Sequence, residues 1–549
     1  MTLFTTQANR LKFVPALSSR AWDLSYWAAV FGTAVLTLVA VIASISHPLL
    51  GQPDQCMYLS MADLLMAGRL PYVDCFDNNP PLIIYLGVIP MVVAKLAALP
   101  ATLAFALCVH VLAAFSAGLS FWLLRSTRGK VSGLLACLSV LVFAWFNAFQ
   151  EMDLGQREHI FTLAVFPYLL LRFLRYRLEP DLSDCDKVGA ISACLTGLLA
   201  GVGISLKHYF LFIVLMVELA CFLRRPCGRS LLHLEVATCL AAITLYLLHF
   251  LFLPPSMLSG FFGFVLPIYA RGYDYYTNSF LFNLATYWRP DFLQLGLVSL
   301  LALFLAAVSF EITGLLSLFL TFAWSSALVF FLAGQAWQYH LLPVRLGTCL
   351  TLSAGAGLLL VCLLRRREKY FSWVFVFVCL TIACHSALTL KQRLQAEEEQ
   401  HEHFDMAFLG HKGTCFDYEV SPAVATIIAN TRKTDTVLFI STAMAPGYPS
   451  MIQTERRPGS RFIHAMPLVV LDYVVTSKSG FDRPRFQKME EQVLSWYGED
   501  IAGFKPRLIF IQVSPMAGVL EKLNFQKRFL GAYELIGEDF GMQIWRRKD

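Results

Sequence analysis

Charged residues are scarce in this chain. Asp, Glu, Lys and Arg make up 15% of its 549 residues, against roughly 25% in soluble domains, and this deficit excludes an ordinary soluble fold. No CxxC pair or Cys/His cluster with ligand spacing occurs among the 14 cysteines, which excludes the common zinc modules. Most of these cysteines lie inside apolar runs, where the side chain behaves as a small hydrophobe. No internal repeat or low-complexity tract is present, which counts against the repeated halves common in transporters. The first apolar segment, 25–48, is too long for a signal-peptide core and lacks a small-residue cleavage site, so it reads as a retained anchor.

What is there is mostly apolar. Hydrophobic residues account for 57% of the chain and the mean hydropathy is +0.59, values of a polytopic α-helical membrane protein. The net charge of +6 comes from short basic clusters between apolar runs, such as RRPCGR at 224–229 and RRREK at 365–369. That pattern reads as cytoplasmic loops, not as a nucleic-acid surface. The segment 1–24, with Arg10, Lys12 and Arg20, falls in the cytoplasm by the same rule.

Further apolar runs lie at 80–98, 101–124, 131–149, 160–175, 188–204, 208–223, 231–253, 292–309, 313–332, 341–364 and 371–390. If the basic loops are cytoplasmic, then 51–79, 150–159, 254–290 and 334–340 are outside, and so is the tail after 390. Only 80–124 breaks the alternation, because two crossings there would invert everything downstream. This stretch must cross an odd number of times, giving about 11 crossings, or about 13 if a third is hidden in it. Beyond 390 the runs TVLFIST and RLIFIQV are strand-like, and YELIGEDFGMQIWRR alternates about a glycine-bounded turn. Residues 391–549 therefore predict a small extracytoplasmic α/β domain, after a membrane domain spanning 25–390.

Polar residues concentrate in the outer segments. The first outer loop carries Asp54, Asp63, Asp74 and Asp77, and ionisable groups kept at a membrane surface suggest function. Asp54 precedes the helical stretch CMYLSMADLLMAG, so it reads equally as a helix N-cap, while Asp63 reads as solvent-facing on that helix. Cys56 and Cys75 bracket the loop and are either disulfide-bonded or two thiols.

The second outer loop, EMDLGQREH at 151–159, offers Asp153, Gln156, Arg157, Glu158 and His159. Arg157 and His159 suit a phosphate or a sugar hydroxyl; the alternative is a solvated turn whose charges pair among themselves. Lys207 and His208 interrupt two apolar runs on the outer side. A lysine there either snorkels or meets a specific anion. Arg271 lies among Tyr269, Tyr273, Tyr275 and Tyr276, which an aromatic belt also explains. Tyr339 and His340 precede Leu-Leu-Pro and are ligand contacts or interface anchors.

The aspartate after the first span, followed by Tyr72-x-Asp74-x-x-Asp77-x-x-Pro80-Pro81-Leu82, resembles the C-type (GT-C) glycosyltransferases. The likeness is to the branch holding protein O-mannosyltransferases and the lipid A aminoarabinose transferase. The family's first motif is here Asp54-Gln55, and its second is Asp77-Asn78-Asn79-Pro80-Pro81-Leu82. The second acid and the lysine of those motifs are absent. The resemblance implies an inverting transfer in which Asp54 is the general base and the donor is a polyprenyl-phosphate-linked sugar. Asp74, Asp77, Asn79, Asp153, Gln156, Arg157, Glu158, His159, Lys207, His208, Arg271, Tyr339 and His340 would then line the substrate site. A divalent metal could assist beside the acidic loop. The acceptor would be a hydroxyl of a lipid, glycan or protein, and the setting a bacterial inner membrane. The competing classes are a flippase for a lipid-linked sugar and a non-catalytic assembly factor for a surface polysaccharide.

Overall fold

The computed structural model describes residues 17–46, 53–150, 153–179, 182, 188–224, 226, 233–270, 278–286, 290–308, 313–335, 337–363, 368–400, 423–476 and 483–548. In chain order the first nine α-helices are α1 (Ser19–Ser46), α2 (Pro53–Met66), α3 (Leu82–Ala97), α4 (Ala101–Leu124), α5 (Val131–Ala148), α6 (Arg157–Arg175), α7 (Ala190–Ser205), α8 (Phe210–Arg224) and α9 (Leu234–His249). Helices Pro290–Val308, Gly314–Ala333, Leu342–Leu363 and Glu368–Gln400 complete the bundle. Among the described residues, 8 helices are long and apolar enough to cross a membrane. Leu240, Leu245 and Leu247 on α9, and Leu297, Leu300 and Leu303 on Pro290–Val308, are exposed. Such side chains are the surface that lipid covers in a membrane protein.

Helix α6 runs through the middle of this bundle, packed on α4, α7 and α8. All its residues from Arg157 to Leu174 are buried. At 1.5 Å per residue it is about 28 Å long, close to the ~30 Å hydrocarbon core. Its charged ends, Arg157-Glu158 and Arg172 with Arg175, therefore lie at opposite faces of the bundle. At the second end Arg172 makes a bidentate pair with Glu218 of α8 (2.7 and 2.9 Å) and reaches Glu235 of α9 at 3.0 Å. Tyr168 and Tyr176 donate to the same Glu218 carboxylate at 3.0 and 3.1 Å. A buried guanidinium is tolerable only with such complete pairing.

Helix α7 is drawn in by its small residues. A Cβ at Gly197 would lie 2.1 Å from the Glu235 carbonyl oxygen of α9, and one at Gly201 2.6 Å from that of Cys239. Two glycines four positions apart thus let the two backbones touch, the small-xxx-small packing of membrane helices.

Helix α3 lies against the C-terminal domain. Just before α3 the Phe76 N–H donates to the Arg461 carbonyl of that domain at 2.7 Å. Near the end of α3, Lys95 pairs with Asp63 of α2 at 2.7 Å, in a recess that Lys433 and Arg457 of the same domain also line. Asp63, expected to face solvent, is half-buried in this ion pair. Cys56 and Cys75 are buried and remain thiols.

Helix Glu368–Gln400 continues unbroken past 390. Beyond the undescribed 401–422, a five-stranded sheet forms in the order β2-β1-β3-β5-β4. The strands are β1 (Thr436–Ile440), β2 (Arg457–Pro458), β3 (Leu508–Gln512), β4 (Tyr533–Asp539) and β5 (Met542–Arg547). β1 is parallel to β2 and β3, and β5 is antiparallel to β3 and to β4. The two apolar runs and the terminal hairpin read from sequence are β1, β3 and β4–β5.

This domain shares its core with the outer loops. Phe76 stacks on Phe462 and on Trp496, each at 5.3 Å, and Phe264 meets Trp496 at 4.8 Å. Gly260 permits the closest approach, since a Cβ there would lie 2.1 Å from the Tyr72 carbonyl oxygen.

Candidate active site

Helix α2 opens at Pro53, whose fixed φ suits a first helical position. Asp54 follows in the first turn, one residue inside the helix, where the helix dipole favours a carboxylate. It is half-buried and has no hydrogen-bond partner among the described residues. One turn on, Tyr58 is buried with its hydroxyl unpaired. The Arg157 guanidinium sits 5.6 Å from the Tyr58 ring centre, a cation–π approach.

Arg157 is held there by the turn before α6. Gly155 adopts φ +74°, and its N–H donates to His159 Nδ1 at 3.0 Å. His159 Nε2 then donates to Asn147 Oδ1 at 2.7 Å, so both ring nitrogens are committed to the turn. Gln55 of α2 donates to the Leu154 carbonyl at 3.1 Å, joining the first outer loop to the second. Gln156 occupies the N-cap position of α6 without using its side chain to cap, and its Oε1 is buried and unpaired. Arg157 itself is 5% exposed, and its Nε has no hydrogen-bond partner.

Glu158 faces the break between α7 and α8. Its Oε1 accepts from Lys207 Nζ at 2.6 Å and from the Tyr209 hydroxyl at 3.1 Å, with His340 Nε2 at 3.3 Å. His340 Nε2 also lies 3.1 Å from Lys207 Nζ. The rings of Tyr209 and Tyr339 flank the ammonium at 5.3 and 5.4 Å. Glu158 Oε2 and His340 Nδ1 are buried without partners. From Glu158 and His340 a narrow cleft runs between apolar side chains, Phe210, Ile213, Val329 and Phe330.

Asp77 is fully buried. Its Oδ2 accepts from the backbone and side-chain nitrogens of Asn79 at 3.2 and 2.8 Å, and its Oδ1 is unpaired. Asn79 is fixed in turn by the Tyr72 hydroxyl, which donates to its carbonyl at 2.5 Å.

Three carboxylates thus face two cations, and burial adds to the imbalance. Burial pushes the Asp54 carboxyl upward, Arg157 and Lys207 pull it back, and Asp77 and Glu158 push it up again. Asp77 is likewise raised by burial, against its Asn79 hydrogen bond and Arg157. Asp153, beside them, is raised to about 6, chiefly by burial and against the pull of Arg345. Lys207 is lowered to about 8 by burial and by Arg157, with Glu158 opposing.

The fold therefore gathers Asp54, Asp77, Asn79, Asp153, Gln156, Arg157, Glu158, Lys207, Tyr339 and His340. Asp74 is turned elsewhere, accepting the Leu70 N–H at 2.8 Å and pairing with Arg69 at 3.6 Å. His208 is exposed and touches Tyr209 edge-on. Arg271 lies outside the described residues. Tyr58 and Tyr209 belong to the site although the sequence reading did not select them. The signal for Tyr58 was its one-turn spacing from Asp54.

Among the described residues no group of three His, Cys, Asp or Glu side chains is arranged to hold a metal ion. Asp54 and Asp77 have Arg157 beside them as a competing cation. Gln55 turns its amide nitrogen to the Leu154 carbonyl. This donor set does not fit a resident divalent metal.

No protein-family model matches the sequence, and neither does any curated protein. Solved structures do match. ArnT from Cupriavidus metallidurans bound to undecaprenyl phosphate superposes with a TM-score of 0.53 at 13% identity, covering 94% of this chain and 97% of that one. Its apo form gives 0.50 at 12% identity over the same shares. The archaeal oligosaccharyltransferase AglB from Archaeoglobus fulgidus, in complex with an inhibitory peptide and a dolichol-phosphate, is more distant, with a TM-score of 0.43 at 11% identity. Over nearly its whole length this chain has the fold of ArnT.

Proposed function

We propose that the protein is an inverting glycosyltransferase that moves a sugar from a polyprenyl-phosphate donor to a hydroxyl acceptor at the outer face of the membrane. The observation that carries this reading is Arg157. A buried guanidinium with an unpaired Nε, set against a half-buried carboxylate that has no hydrogen-bond partner, is costly unless a ligand completes it. The planar fork of arginine suits a phosphate. The apolar side chains Phe210, Ile213, Val329 and Phe330 lie beside Glu158 and His340, where the chain that such a phosphate carries would begin.

In the reaction the acceptor oxygen attacks the anomeric carbon as its proton passes to Asp54. The bond between that carbon and the phosphate oxygen breaks, and the lipid phosphate leaves with the electron pair. Arg157 and Lys207 would stabilise the charge that grows on the leaving phosphate. Donor binding also prepares the base. A phosphate beside Arg157 offsets the cation that otherwise pulls the Asp54 carboxyl down, so Asp54 becomes a stronger base once the donor is seated.

The same reading has α1, α4–α9 and the four later long helices as eleven crossings, with α2 and α3 along the outer surface. The membrane domain would span 25–390, and the domain 391–549 would be extracytoplasmic, in a bacterial inner membrane. The test is mass spectrometry of envelope lipids, glycans and proteins from cells lacking the gene, complemented with the wild-type chain or with Asp54→Asn. A sugar lost on deletion and restored only by wild type is expected. Full restoration by the variant would refute the assignment.

A further inference from the structure

A second recess lies at the other end of α2. It opens between α2, α3 and the start of α4 on one side and the C-terminal domain on the other, with a volume of about 700 Å³. That is within the ~300–1,000 Å³ of small-molecule sites. Its lining holds four cations, Lys95, Lys433, Arg456 and Arg457, and two carboxylates, Asp63 and Glu455. Each carboxylate already has a lysine, Asp63 with Lys95 and Glu455 with Lys433.

The two arginines are left in excess. Arg456 is buried and donates only to neutral oxygens, the Thr431 hydroxyl at 3.0 Å, the Thr431 carbonyl at 2.9 Å and the Thr454 carbonyl. Arg457 is exposed and has no ion-pair partner among the described residues. Beside these charges the floor is apolar, formed by Leu64, Met91, Leu99 and Ile452.

Uncompensated positive charge next to an apolar floor recognises a particular chemistry. We propose that this recess binds an anionic amphiphile, its phosphate or carboxylate against Arg457, beside the Lys433–Glu455 pair, and its alkyl portion over Leu64, Met91 and Leu99. The recess is separate from the Asp54 site, because Asp54 and Asp63 are nine positions apart on α2, about 14 Å along the axis and on opposite helix faces. The C-terminal domain contributes eight of the eighteen lining residues.

The test uses the full chain in phosphatidylcholine nanodiscs, with hexyl phosphate and inorganic phosphate as probes. Hexyl phosphate is expected to bind at least about tenfold more tightly than inorganic phosphate, a difference of ~1.4 kcal/mol. The double variant Lys433→Ala/Arg457→Ala should weaken hexyl phosphate about tenfold without lowering Tm. Ala101→Trp, which fills the recess, should abolish binding of the alkyl probe. Equal affinity for the two probes would overturn the amphiphile, and unchanged binding in both variants would overturn the site. Asp54→Asn separates the two readings, because it should stop transfer and leave hexyl phosphate binding intact. If Asp54→Asn leaves transfer unchanged while the recess variants still lose the probe, the recess stands and the Asp54 base assignment falls.

Discussion

Lys207 and Glu158 meet at 2.6 Å although 49 positions separate them. The contact divides the labour of two adjacent residues on α6. Glu158 is committed to an ammonium, whereas Arg157 is left with an unpaired nitrogen. If both had been paired, the turn would be a closed structural network. With one open, the network leaves a buried donor free for an anion.

Asp54→Asn is expected to lower sugar transfer by roughly 10²–10⁴-fold, the usual contribution of a positioned general base. The amide is nearly isosteric, and Asp54 makes no hydrogen bond that it would lose. Affinity for a polyprenyl phosphate should therefore stay within a few-fold of wild type, as read by isothermal titration.

Arg157→Lys should weaken the same lipid phosphate by about tenfold or more, because an ammonium keeps the charge but not the two-pronged donor geometry. Recovery of wild-type affinity in the lysine variant would mean that charge alone suffices.

Transfer should depend on pH in two limbs. Asp54, raised by burial, gains activity as it loses its proton, so the rate climbs with pH on the acid side. Lys207, lowered to about 8, loses its charge above that value, so donor affinity and rate fall on the alkaline side. Glu158→Gln removes the carboxylate that holds the lysine protonated and should move the alkaline limb to lower pH. A profile that is flat from pH 6 to 9 would contradict both assignments.

Gly201→Val should loosen the contact between α7 and α9, because a Cβ at Gly201 meets the Cys239 carbonyl at 2.6 Å. Overpacking of this kind costs roughly 1–3 kcal/mol, visible as a lower Tm. Gly296→Ala, with nothing within 4 Å of the added Cβ, should be neutral or gain up to about 1 kcal/mol.

Local patterns carried much of this architecture. TVLFI and RLIFI are β1 and β3 because short β-branched and aromatic runs bounded by turns have few other ways to be buried. Parity of the basic loops singled out 80–124 as the stretch that breaks the alternation. Contacts between distant residues were not legible. Nothing in the spacing of Lys207, Glu158 and His340 announces that they share one oxygen atom. Arg172 and Glu218 each stand inside an apolar run, and only the fold shows that they pair. His159 reads as a ligand from its neighbourhood, but its orientation depends on Gly155 and Asn147, which only the folded turn brings to it.

The stack of Phe76 on Phe462 and Trp496 has a consequence for biosynthesis. The acidic loop leaves the ribosome nearly four hundred residues before the aromatic partners that finish its packing. Until the last fifth of the chain has been made and has folded against it, the loop carrying Asp77 lacks one wall. A chain ended before Phe462 would keep the helices of the bundle and leave that side of the acidic loop open.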